Sequence, residues 1–453
     1  MIAVVGSGVM GAGIAQVAAA AGHTVKLYDV RAEAVDKAIQ SIQKKAPTAR
    51  VERAGDIREL AGSKLVIEAV VEDLSVKQRL FAELETVVDG DCILATNTSS
   101  LSITAIAAGL KRPARVVGMH FFNPAPVMEL VEVISGLATD RNCAEAVYAT
   151  AAQWGKTPVY AKSTPGFIVN RIARPYYGEA LRLLSEGAAS PASLDAIMRE
   201  SGGFRMGPFA LMDLIGNDVN FAVTRSVFEA YFGDPRFTPS LIQKELVEAG
   251  FLGRKSGRGF FEYGENAERG EPVTEPPAPP PKHANDVIIL LTDGRTATQR
   301  AHETGIDDLV LVDLALDYGK AARVAVAKAR QCSECAYRAA AGALQDAGYA
   351  VTPMRDLPGM AVMRTVAMLV NEAADAVNQG VCTVDAVNTA MRKGVNYPLG
   401  PLEWGDRIGI PKIHRVLINL AAHYGEDRYR VSPLIRELLW SGKKFENFEN
   451  FND

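Results

Sequence analysis

A histidine and a glutamate on neighbouring predicted strands could act together on a proton. His120 opens the segment His-Phe-Phe-Asn-Pro, and Glu132 lies in the apolar run that follows. Histidine titrates near neutrality and suits general-base work, and a carboxylate can hold one ring nitrogen and stabilise the charged imidazole. Ser99 and Asn170 carry neutral donors suited to a substrate oxygen. These four side chains suit the oxidation of a secondary alcohol, in which a base takes the hydroxyl proton as hydride leaves carbon.

Such an oxidation needs a hydride acceptor, and the first thirty residues carry a dinucleotide-binding pattern. Gly6-Ser7-Gly8-Val9-Met10-Gly11 follows the apolar run Ile2 to Val5, opens a small-residue helix, and precedes Asp29 at the end of the next apolar run. Gly6 permits the tight turn, Gly8 lets a pyrophosphate approach the backbone, and Gly11 lets the helix pack on the sheet. The helix N-terminus attracts the phosphates. Asp29 can accept hydrogen bonds from ribose hydroxyls and would repel a 2′-phosphate, so the pattern favours NAD over NADP.

Composition narrows the class of protein. The 453 residues are 48% hydrophobic and 23% charged, which is typical of a globular protein of about three domains. The net charge of −4 does not predict a nucleic-acid partner. No run is long enough to span a membrane, and the apolar start lacks a basic leading region, so we expect a cytoplasmic protein. The five scattered cysteines fit a reducing compartment. Cys332-Ser333-Glu334-Cys335 is interpreted as two helix-start cysteines in a core, and no metal site is predicted.

Strand and helix signals alternate in the first third of the chain, which predicts an α/β Rossmann domain with a mostly parallel sheet over residues 1–163. The predicted strands are Ile2 to Val5, Thr24 to Val30, Lys64 to Val70, Cys92 to Ala95, Val116 to Met119 and Leu130 to Ile134, with a helix at Ala144 to Trp154. From residue 164 the pattern becomes helical, for example at Ile168 to Leu184 and Leu194 to Glu200, which predicts an all-α first helical segment over residues 164–263.

Three further regions follow. Residues 264–284 are proline-rich and are expected to form a stiff, extended linker that joins no packed core. Residues 285–356 have strand-like runs at Val287 to Leu291 and Leu309 to Val312 but no glycine fingerprint. They are interpreted as a degenerate Rossmann-like remnant that binds no nucleotide. Residues 357–453 are the second helical segment.

The second helical segment repeats the first at an offset of 193 residues, which predicts a duplication. The matching pairs are Pro165-Gly166 with Pro358-Gly359, Arg171 with Arg364, Glu179 with Glu372, Gly187 with Gly380, Met198-Arg199 with Met391-Arg392, Gly207-Pro208 with Gly400-Pro401, Asp213 with Asp406 and Gly216 with Gly409. Met363 stands at the position of Asn170 and cannot polarise an oxygen. The second copy also lacks an upstream Ser, His and Glu set. It is therefore predicted to be non-catalytic.

The order and spacing of the site motifs resemble those of the L-3-hydroxyacyl-CoA dehydrogenase family. The motifs are Glu68-Ala69-Val70-Val71-Glu72, Lys77, Asn97-Thr98-Ser99-Ser100, His120-Phe121-Phe122-Asn123-Pro124, Glu132 and Pro165-Gly166-Phe167-Ile168-Val169-Asn170-Arg171. The resemblance covers residues 1 to about 263, and the repeat is similar to the duplicated helical domain of longer members.

The resemblance implies reversible, NAD-dependent oxidation of an L-3-hydroxyacyl-CoA to a 3-oxoacyl-CoA. His120 would be the base and Glu132 its partner, with Ser99 and Asn170 polarising the oxygen. It also implies cofactor contacts from Glu72, Lys77, Asn97, Ser99, Asn123 and Lys255. Two-domain members pair their helical domains across a dimer interface. We therefore expect either a monomer in which the second helical segment covers the first, or a homodimer. Deleting residues from about 284 onward should expose an apolar face and cause dimerisation or aggregation.

Two departures from the family concern the substrate. The segment between Asp29 and Lys64 is short, so one helix fits where many members carry a helix pair that contacts CoA, and Lys45 at its end is a candidate for a CoA phosphate. Arg205 stands where ordinary members of the family tend to have proline. In this respect its segment resembles the 3-hydroxyadipyl-CoA dehydrogenases of phenylacetate breakdown. Arg205 could bind the distal carboxylate of a dicarboxylyl-CoA.

Two alternative functions are open at this stage. One is a β-hydroxyacid dehydrogenase or imine reductase, whose lysine three residues after the helical asparagine is replaced here by Ala173. The other is a non-catalytic NAD-binding scaffold, which would not need the set formed by Ser99, His120, Glu132 and Asn170.

Overall fold

The computed structural model describes residues 1–265, 270–281 and 287–448. These described residues form two compact units, one within residues 1–171 and 379–395 and one within residues 172–378 and 396–448. Unit 1 therefore differs from the predicted first domain by including a part of the second helical segment. In the described ranges every helix is too short or too polar to cross a bilayer. The expected cytoplasmic location stays a prediction.

Unit 1 is built on an eight-stranded sheet with the order β3-β2-β1-β4-β5-β6-β7-β8, in which only the β6–β7 pair is antiparallel. The strands are β1 Ile2–Val5, β2 Val25–Tyr28, β3 Val51–Arg53, β4 Leu65–Glu68, β5 Ile93–Thr96, β6 Val116–Phe121, β7 Leu130–Ser135 and β8 Thr157–Lys162. The predicted mostly parallel sheet is thus confirmed, with strand ends displaced by one or two residues. Two strands, β3 and β8, were not predicted. The strand β3 has only three residues, and the outward side chains of β8 are polar or exposed, so neither gives a clear apolar run.

Helices cover both faces of this sheet. They are α1 Val9–Ala20, α2 Ala32–Lys45, α3 Leu74–Val87, α4 Ile103–Ala107, α5 Arg141–Gln153 and α6 Val169–Ile172. Side chains of Asp73 and Asp140 cap α3 and α5 by accepting backbone N–H groups of the first turn. The parallel strands β1 and β4 are buried on both faces, which explains their unbroken apolar sequence.

Unit 2 is mostly helical. Its helices are α7 Arg174–Ser185, α8 Pro191–Glu200, α9 Pro208–Ile215, α10 Asn217–Ala230, α11 Leu241–Glu248, α12 Ala297–Thr304, α13 Glu334–Asp346, α14 Val362–Asn378, α16 Pro401–Ile408, α17 Ile410–Tyr424 and α18 Pro433–Ser441, whereas α15, Val384–Val395, belongs to unit 1. The helical pattern predicted for residues 168–184 is confirmed, but the helix is interrupted at Ala173 because Pro175 has no N–H to continue the ladder. Met368 stands at the equivalent position, and α14 is continuous there.

A second, four-stranded sheet lies in unit 2. Its strands are β9 Ile288–Leu291, β10 Leu309–Val312, β11 Arg323–Lys328 and β12 Ala350–Pro353, in the order β12-β11-β10-β9 with β10 and β11 antiparallel. Both strand-like runs predicted for the remnant are therefore strands. Cys332 is buried but Cys335 is exposed, so the expectation that both lie in a core is wrong for Cys335.

The proline-rich segment differs from its predicted role. Residues 270–281 form neither helix nor strand, and Glu275 N–H donates to the Val351 carbonyl at 2.8 Å. A Cβ on Gly342 of α13 would lie 2.3 Å from the Pro279 carbonyl oxygen. These residues therefore pack on the sheet edge and on α13, where backbone groups find partners, but each of them stays at least partly exposed. The expectation that the segment joins no packed core stays a prediction. The rest of the predicted linker, at 266–269 and 282–284, lies outside the described residues.

Candidate active site

His120 and Glu132 form a buried hydrogen-bonded pair. They lie directly opposite each other on the antiparallel strands β6 and β7, so both side chains project from one face of the sheet. His120 Nδ1 is 2.7 Å from Glu132 Oε2. His120 is 5% exposed and Glu132 is fully buried. The strand register thus sets the orientation of the imidazole.

The second carboxylate oxygen of Glu132 anchors the turn that leads into α6. Oε1 accepts the backbone N–H groups of Ile168 and Val169 at 3.1 and 2.9 Å. The turn has a tight backbone, with Phe167 at φ 46° and Gly166 at φ 76°. Both oxygens of the Glu132 carboxylate thus have partners, which fixes the carboxylate between the imidazole and the turn.

Asn170 follows this turn and reaches the loop that carries Ser99. Its Nδ2 lies 3.3 Å from the Ser99 carbonyl oxygen. Within unit 1, hydrogen bonds therefore join His120 to Glu132, Glu132 to the turn that precedes Asn170, and Asn170 to the Ser99 loop. The four predicted catalytic residues are brought together by the ends of β5, β6 and β7 and the start of α6.

The glycine turn has the geometry expected of a dinucleotide cradle. Gly6 has φ 103°, and a Cβ there would lie 2.5 Å from the Ala69 carbonyl oxygen. A Cβ on Gly11 would lie 1.8 Å from the Gly6 carbonyl oxygen, so α1 packs against the turn only with glycine there. A Cβ on Gly8 would meet nothing within 4 Å. Space is thus open beside Gly8 at the N-terminus of α1, where a pyrophosphate fits.

Asp29 is fixed next to this turn. Its Oδ2 accepts from Ser7 N–H at 2.8 Å and from Ser7 Oγ at 2.9 Å, and Oδ1 accepts from Arg31 N–H at 3.0 Å. Burial alone would raise the pKa of Asp29, but these donors outweigh it and hold the pKa below its ordinary value. An ionised carboxylate here fits ribose hydroxyls and opposes a 2′-phosphate.

A buried ion-pair network, missed at the sequence level, holds the residues after β4 and β5. Lys77 Nζ lies 2.6 Å from Glu68 Oε1 and 3.3 Å from Glu72 Oε2, and the side chains of Lys77 and Glu68 are 1% and 0% exposed. Thr96 Oγ1 donates to Glu68 Oε2 at 2.6 Å. The signal available in the sequence was a glutamate ending an otherwise apolar strand, a position where a charge needs a partner.

Glu72 in turn fixes the Ser99 loop. Its Oε1 accepts Ser99 N–H at 2.8 Å, Ser100 N–H at 3.0 Å and the Thr98 hydroxyl at 2.7 Å. Burial opposes ionisation of Glu72, but Lys77 and these donors outweigh it and hold its pKa below the ordinary value. Lys77 and Glu72 thus position Ser99, and their predicted contact with the cofactor stays a prediction.

The remaining predicted cofactor and substrate residues are placed as follows. Asn97 Oδ1 accepts Phe121 N–H at 2.8 Å and ties the end of β5 to β6. Asn123 is exposed in the loop after β6, and Lys45 is exposed at the end of α2. In unit 2, Lys255 pairs with Asp218 at 2.6 Å, and Arg205 is exposed.

The Rossmann sheet, the glycine cradle with Asp29, and the histidine–carboxylate pair define an NAD-binding dehydrogenase. Two family models identify the class more narrowly. The model of the 3-hydroxyacyl-CoA dehydrogenase NAD binding domain matches residues 1–164, and the model of the 3-hydroxyacyl-CoA dehydrogenase C-terminal domain matches residues 166–263 and 359–447. The 3-hydroxybutyryl-CoA dehydrogenase reduced Rossmann-fold domain matches residues 289–358. The chain belongs to the 3-hydroxyacyl-CoA dehydrogenase family.

Relatives of two lengths are similar to this chain. It is 48% identical to 3-hydroxyadipyl-CoA dehydrogenase of Escherichia coli K12, over 97% of this chain and 98% of that protein. A crystal structure of 3-hydroxybutyryl-CoA dehydrogenase from E. coli K12 matches with a TM-score of 0.93 and 47% identity, over 98% of this chain and 99% of the other. The probable 3-hydroxybutyryl-CoA dehydrogenase of Bacillus subtilis is 41% identical over 58% of this chain and 97% of its own length.

These comparisons confirm the predicted family, cofactor and reaction class. The enzyme oxidises a 3-hydroxyacyl-CoA to a 3-oxoacyl-CoA with NAD, in a reversible reaction. The open space beside Gly8 and the ionised Asp29 fit the dinucleotide.

Proposed function

We propose that His120 is the general base of this oxidation and that Glu132 holds it in the reactive tautomer. The observation that carries the proposal is the 2.7 Å contact between His120 Nδ1 and Glu132 Oε2. A carboxylate at Nδ1 requires the proton there, which leaves Nε2 as the acceptor. Nε2 then takes the hydroxyl proton of the substrate, and the buried Glu132 stabilises the imidazolium that forms.

Asn170 Nδ2 and the Ser99 hydroxyl complete the site in this proposal by donating hydrogen bonds to the substrate oxygen. The Ser99 hydroxyl, which donates to Glu72 Oε1 at 3.2 Å, turns to the substrate when it binds. Such donors stabilise the oxygen as its charge changes. NAD, when bound, accepts the hydride from the substrate carbon. The chain holds it through Gly6, Ser7, Gly8, Val9, Met10, Gly11 and Asp29, with further contacts proposed for Glu72, Lys77, Asn97, Ser99, Asn123 and Lys255.

The test is an absorbance assay of NADH consumption with acetoacetyl-CoA and 3-oxoadipyl-CoA. His120→Ala should lower kcat by about 100-fold or more, as expected for the loss of a general base. His302→Ala, at an exposed position in α12, is the matched control and should leave kcat unchanged. A His120→Ala variant that keeps near wild-type activity would refute the proposal.

For the substrate we propose 3-hydroxyadipyl-CoA, with Arg205 binding the distal carboxylate. In the described part of the chain the Arg205 guanidinium has no ion-pair partner and is exposed in the loop between α8 and α9. Its planar fork suits bidentate binding of a carboxylate. The name of the E. coli relative, 3-hydroxyadipyl-CoA dehydrogenase, supports this substrate.

Arg205→Ala should raise KM for 3-hydroxyadipyl-CoA at least tenfold and leave KM for 3-hydroxybutyryl-CoA within twofold. Arg205→Lys keeps the charge but loses the fork, so it should give an intermediate KM for the dicarboxylyl substrate. Arg225→Ala, another exposed arginine of unit 2, serves as the control. Equal losses on both substrates would remove Arg205 from the proposal.

We also propose that Lys45, with Lys44, binds a CoA phosphate. Both are exposed at the C-terminal end of α2, where they also complement the helix dipole. Replacing both by alanine should raise KM for acyl-CoA without changing KM for NAD.

Finally, we propose that the two helical segments are duplicates that pair as an intramolecular pseudo-dimer. Glu179 of the first binds Arg428 of the second at 3.0 Å, and Arg236 of the first binds Glu372 of the second at 3.1 Å. Glu179 and Glu372 are related by the 193-residue offset, and Arg236 and Arg428 occupy equivalent Arg-aromatic sequences. Reciprocal contacts of this kind are typical of a two-fold interface.

A further inference from the structure

Residues 379–395 come from the second helical segment but form part of unit 1, together with the candidate active site. We name this stretch, which contains α15, the brace. Lys162 N–H, at the end of β8, donates to the Val381 carbonyl at 2.9 Å. Arg171, next to Asn170, donates from Nη1 to Gln379 Oε1 at 2.9 Å. The brace therefore bonds to the strand and to the helix that flank the site.

The brace also packs against the residues that hold Glu132. A Cβ on Gly394 would lie 2.6 Å from Leu130 Cδ2 and 3.1 Å from Val169 Cγ2. Leu130 precedes Glu132 by two residues on β7, so the two side chains share a face of the sheet. Val169 donates its N–H to Glu132 at 2.9 Å. A side chain at position 394 would therefore push on both the strand and the turn that fix Glu132.

The same contact recurs in unit 2, at positions 193 residues away. Arg355 N–H donates to the Ala188 carbonyl at 2.9 Å, as Lys162 donates to Val381 in unit 1. Ser201, the equivalent of Gly394, donates from Oγ to the Arg323 carbonyl on β11 at 2.6 Å. Each helical segment thus supports a sheet that precedes the other segment in the chain. The recurrence indicates a built contact rather than an accident of packing.

We propose that the brace is a positioning element of the catalytic site. By packing on Leu130 and Val169, it keeps β7 and the start of α6 in register, so that Glu132 can hold His120. The second helical segment, although it lacks catalytic residues, is then needed for the chemical step as well as for covering the first segment. This inference rests on the proposed roles of His120 and Glu132.

The test compares Gly394→Val with Ser201→Val in the full chain. Gly394→Val should lower kcat at saturating substrate at least tenfold while the Kd for NADH, measured by fluorescence, stays within twofold, because the glycine cradle does not contact position 394. Ser201→Val loses a buried hydrogen bond at the equivalent place in unit 2 and should change neither quantity by more than twofold. A folded Gly394→Val enzyme with wild-type kcat, or one that loses NADH binding in parallel with kcat, overturns the proposal.

A milder variant decides the case if Gly394→Val does not fold. Gln379→Ala removes one acceptor of Arg171 and should lower kcat about threefold or more, whereas Gln379→Glu keeps the acceptor and should restore it. Unchanged kcat in Gln379→Ala overturns the proposal. His120→Ala is assayed in parallel. If it retains activity, the proposed base is wrong; if it is inactive while the Gly394 and Gln379 variants are normal, only the brace is wrong.

Discussion

Asp313 occupies in the second sheet the register position that His120 occupies in the first. His120 lies opposite Glu132 across the antiparallel pair β6–β7. Asp313 follows β10 directly, and its N–H donates to the Ala325 carbonyl on the antiparallel strand β11 at 3.0 Å. Asp313 in unit 2 therefore corresponds to His120 in unit 1, and Ala325 corresponds to Glu132.

Strand pairing supports this equivalence. Tyr160 pairs with Val133 in the first sheet, and Pro353, which lies 193 residues after Tyr160, pairs with Val326 in the second. Val133 and Val326 immediately follow Glu132 and Ala325. The second sheet therefore keeps the framework of the site without a proton acceptor of the same kind, which agrees with its predicted non-catalytic role.

Asp313 is expected to contribute stability and no catalysis. Its carboxylate accepts N–H groups of Ala361, Val362 and Met363 at 2.9, 2.7 and 3.0 Å at the start of α14. Asp313→Ala leaves these buried donors unsatisfied and should cost on the order of 3 kcal/mol of unfolding free energy, measured by urea titration. The kcat of the folded protein should stay within twofold. A loss of kcat with unchanged stability would contradict this assignment.

Lys77 is predicted to matter first for stability. Lys77→Met would leave Glu68 buried without a cation, which typically costs about 3–5 kcal/mol. The substitution would also remove the positive charge that lowers the pKa of Glu72. Glu72 would then hold the Ser99 loop less firmly, so NADH binding should weaken. The double variant Glu68→Gln with Lys77→Met removes both charges and should recover most of the lost stability. Additive losses in the double variant would show that the two side chains are not coupled.

Much of the site follows from the sequence because local patterns determine it. The glycine turn, the strand-end positions of His120 and Asp29, and the Asn170 turn each depend on neighbouring residues. The pairing of His120 with Glu132 follows from adjacent strands. The predicted strands therefore agree with the structure to within about two residues.

The contacts that were missed join residues distant in the chain. The break before Pro175 was detectable locally, but the brace and the packing of residues 270–281 depend on which surfaces meet after folding. The pair Glu68–Lys77 is an exception, because the two residues are only nine positions apart. The sequence does not distinguish a lysine that pairs with Glu68 from one that contacts the cofactor. Tertiary contacts of this kind leave no periodic trace in the sequence.

Stability should depend on pH through Asp195. Its carboxylate accepts Phe209 and Ala210 N–H groups at the start of α9, but burial outweighs them and raises its pKa to about 7. The native state then binds this proton more tightly than the unfolded state. The contribution of Asp195 to stability is therefore greatest below about pH 4 and declines as pH rises towards 7.

Asp195→Asn removes this titration, and asparagine already stands at the equivalent position, Asn388. The variant should gain stability relative to wild type by about 2 kcal/mol near pH 5, rising to about 4 kcal/mol near pH 8, measured by urea unfolding at each pH. A stability difference that is constant across this range would show that Asp195 stays ionised throughout.

A chain shortened to residues 1–265 is predicted to form homodimers. Its length approaches that of the B. subtilis relative, which covers 58% of this chain. Without the second helical segment, Glu179 loses both of its cations, Arg364 and Arg428. Arg236 of another molecule is the equivalent of Arg428 and can replace it, so two copies can rebuild the reciprocal pairs.

Charge reversal makes this dimer testable by size-exclusion chromatography with light scattering. In the shortened chain, Glu179→Arg should prevent dimerisation, and adding Arg236→Glu should restore it, whereas Arg225→Glu at an exposed site should have no effect. Activity should follow dimerisation, because residues 186–202 of the second molecule can take the place of the brace on β7 and α6. A soluble, active monomer of residues 1–265 would contradict both the pseudo-dimer and the brace.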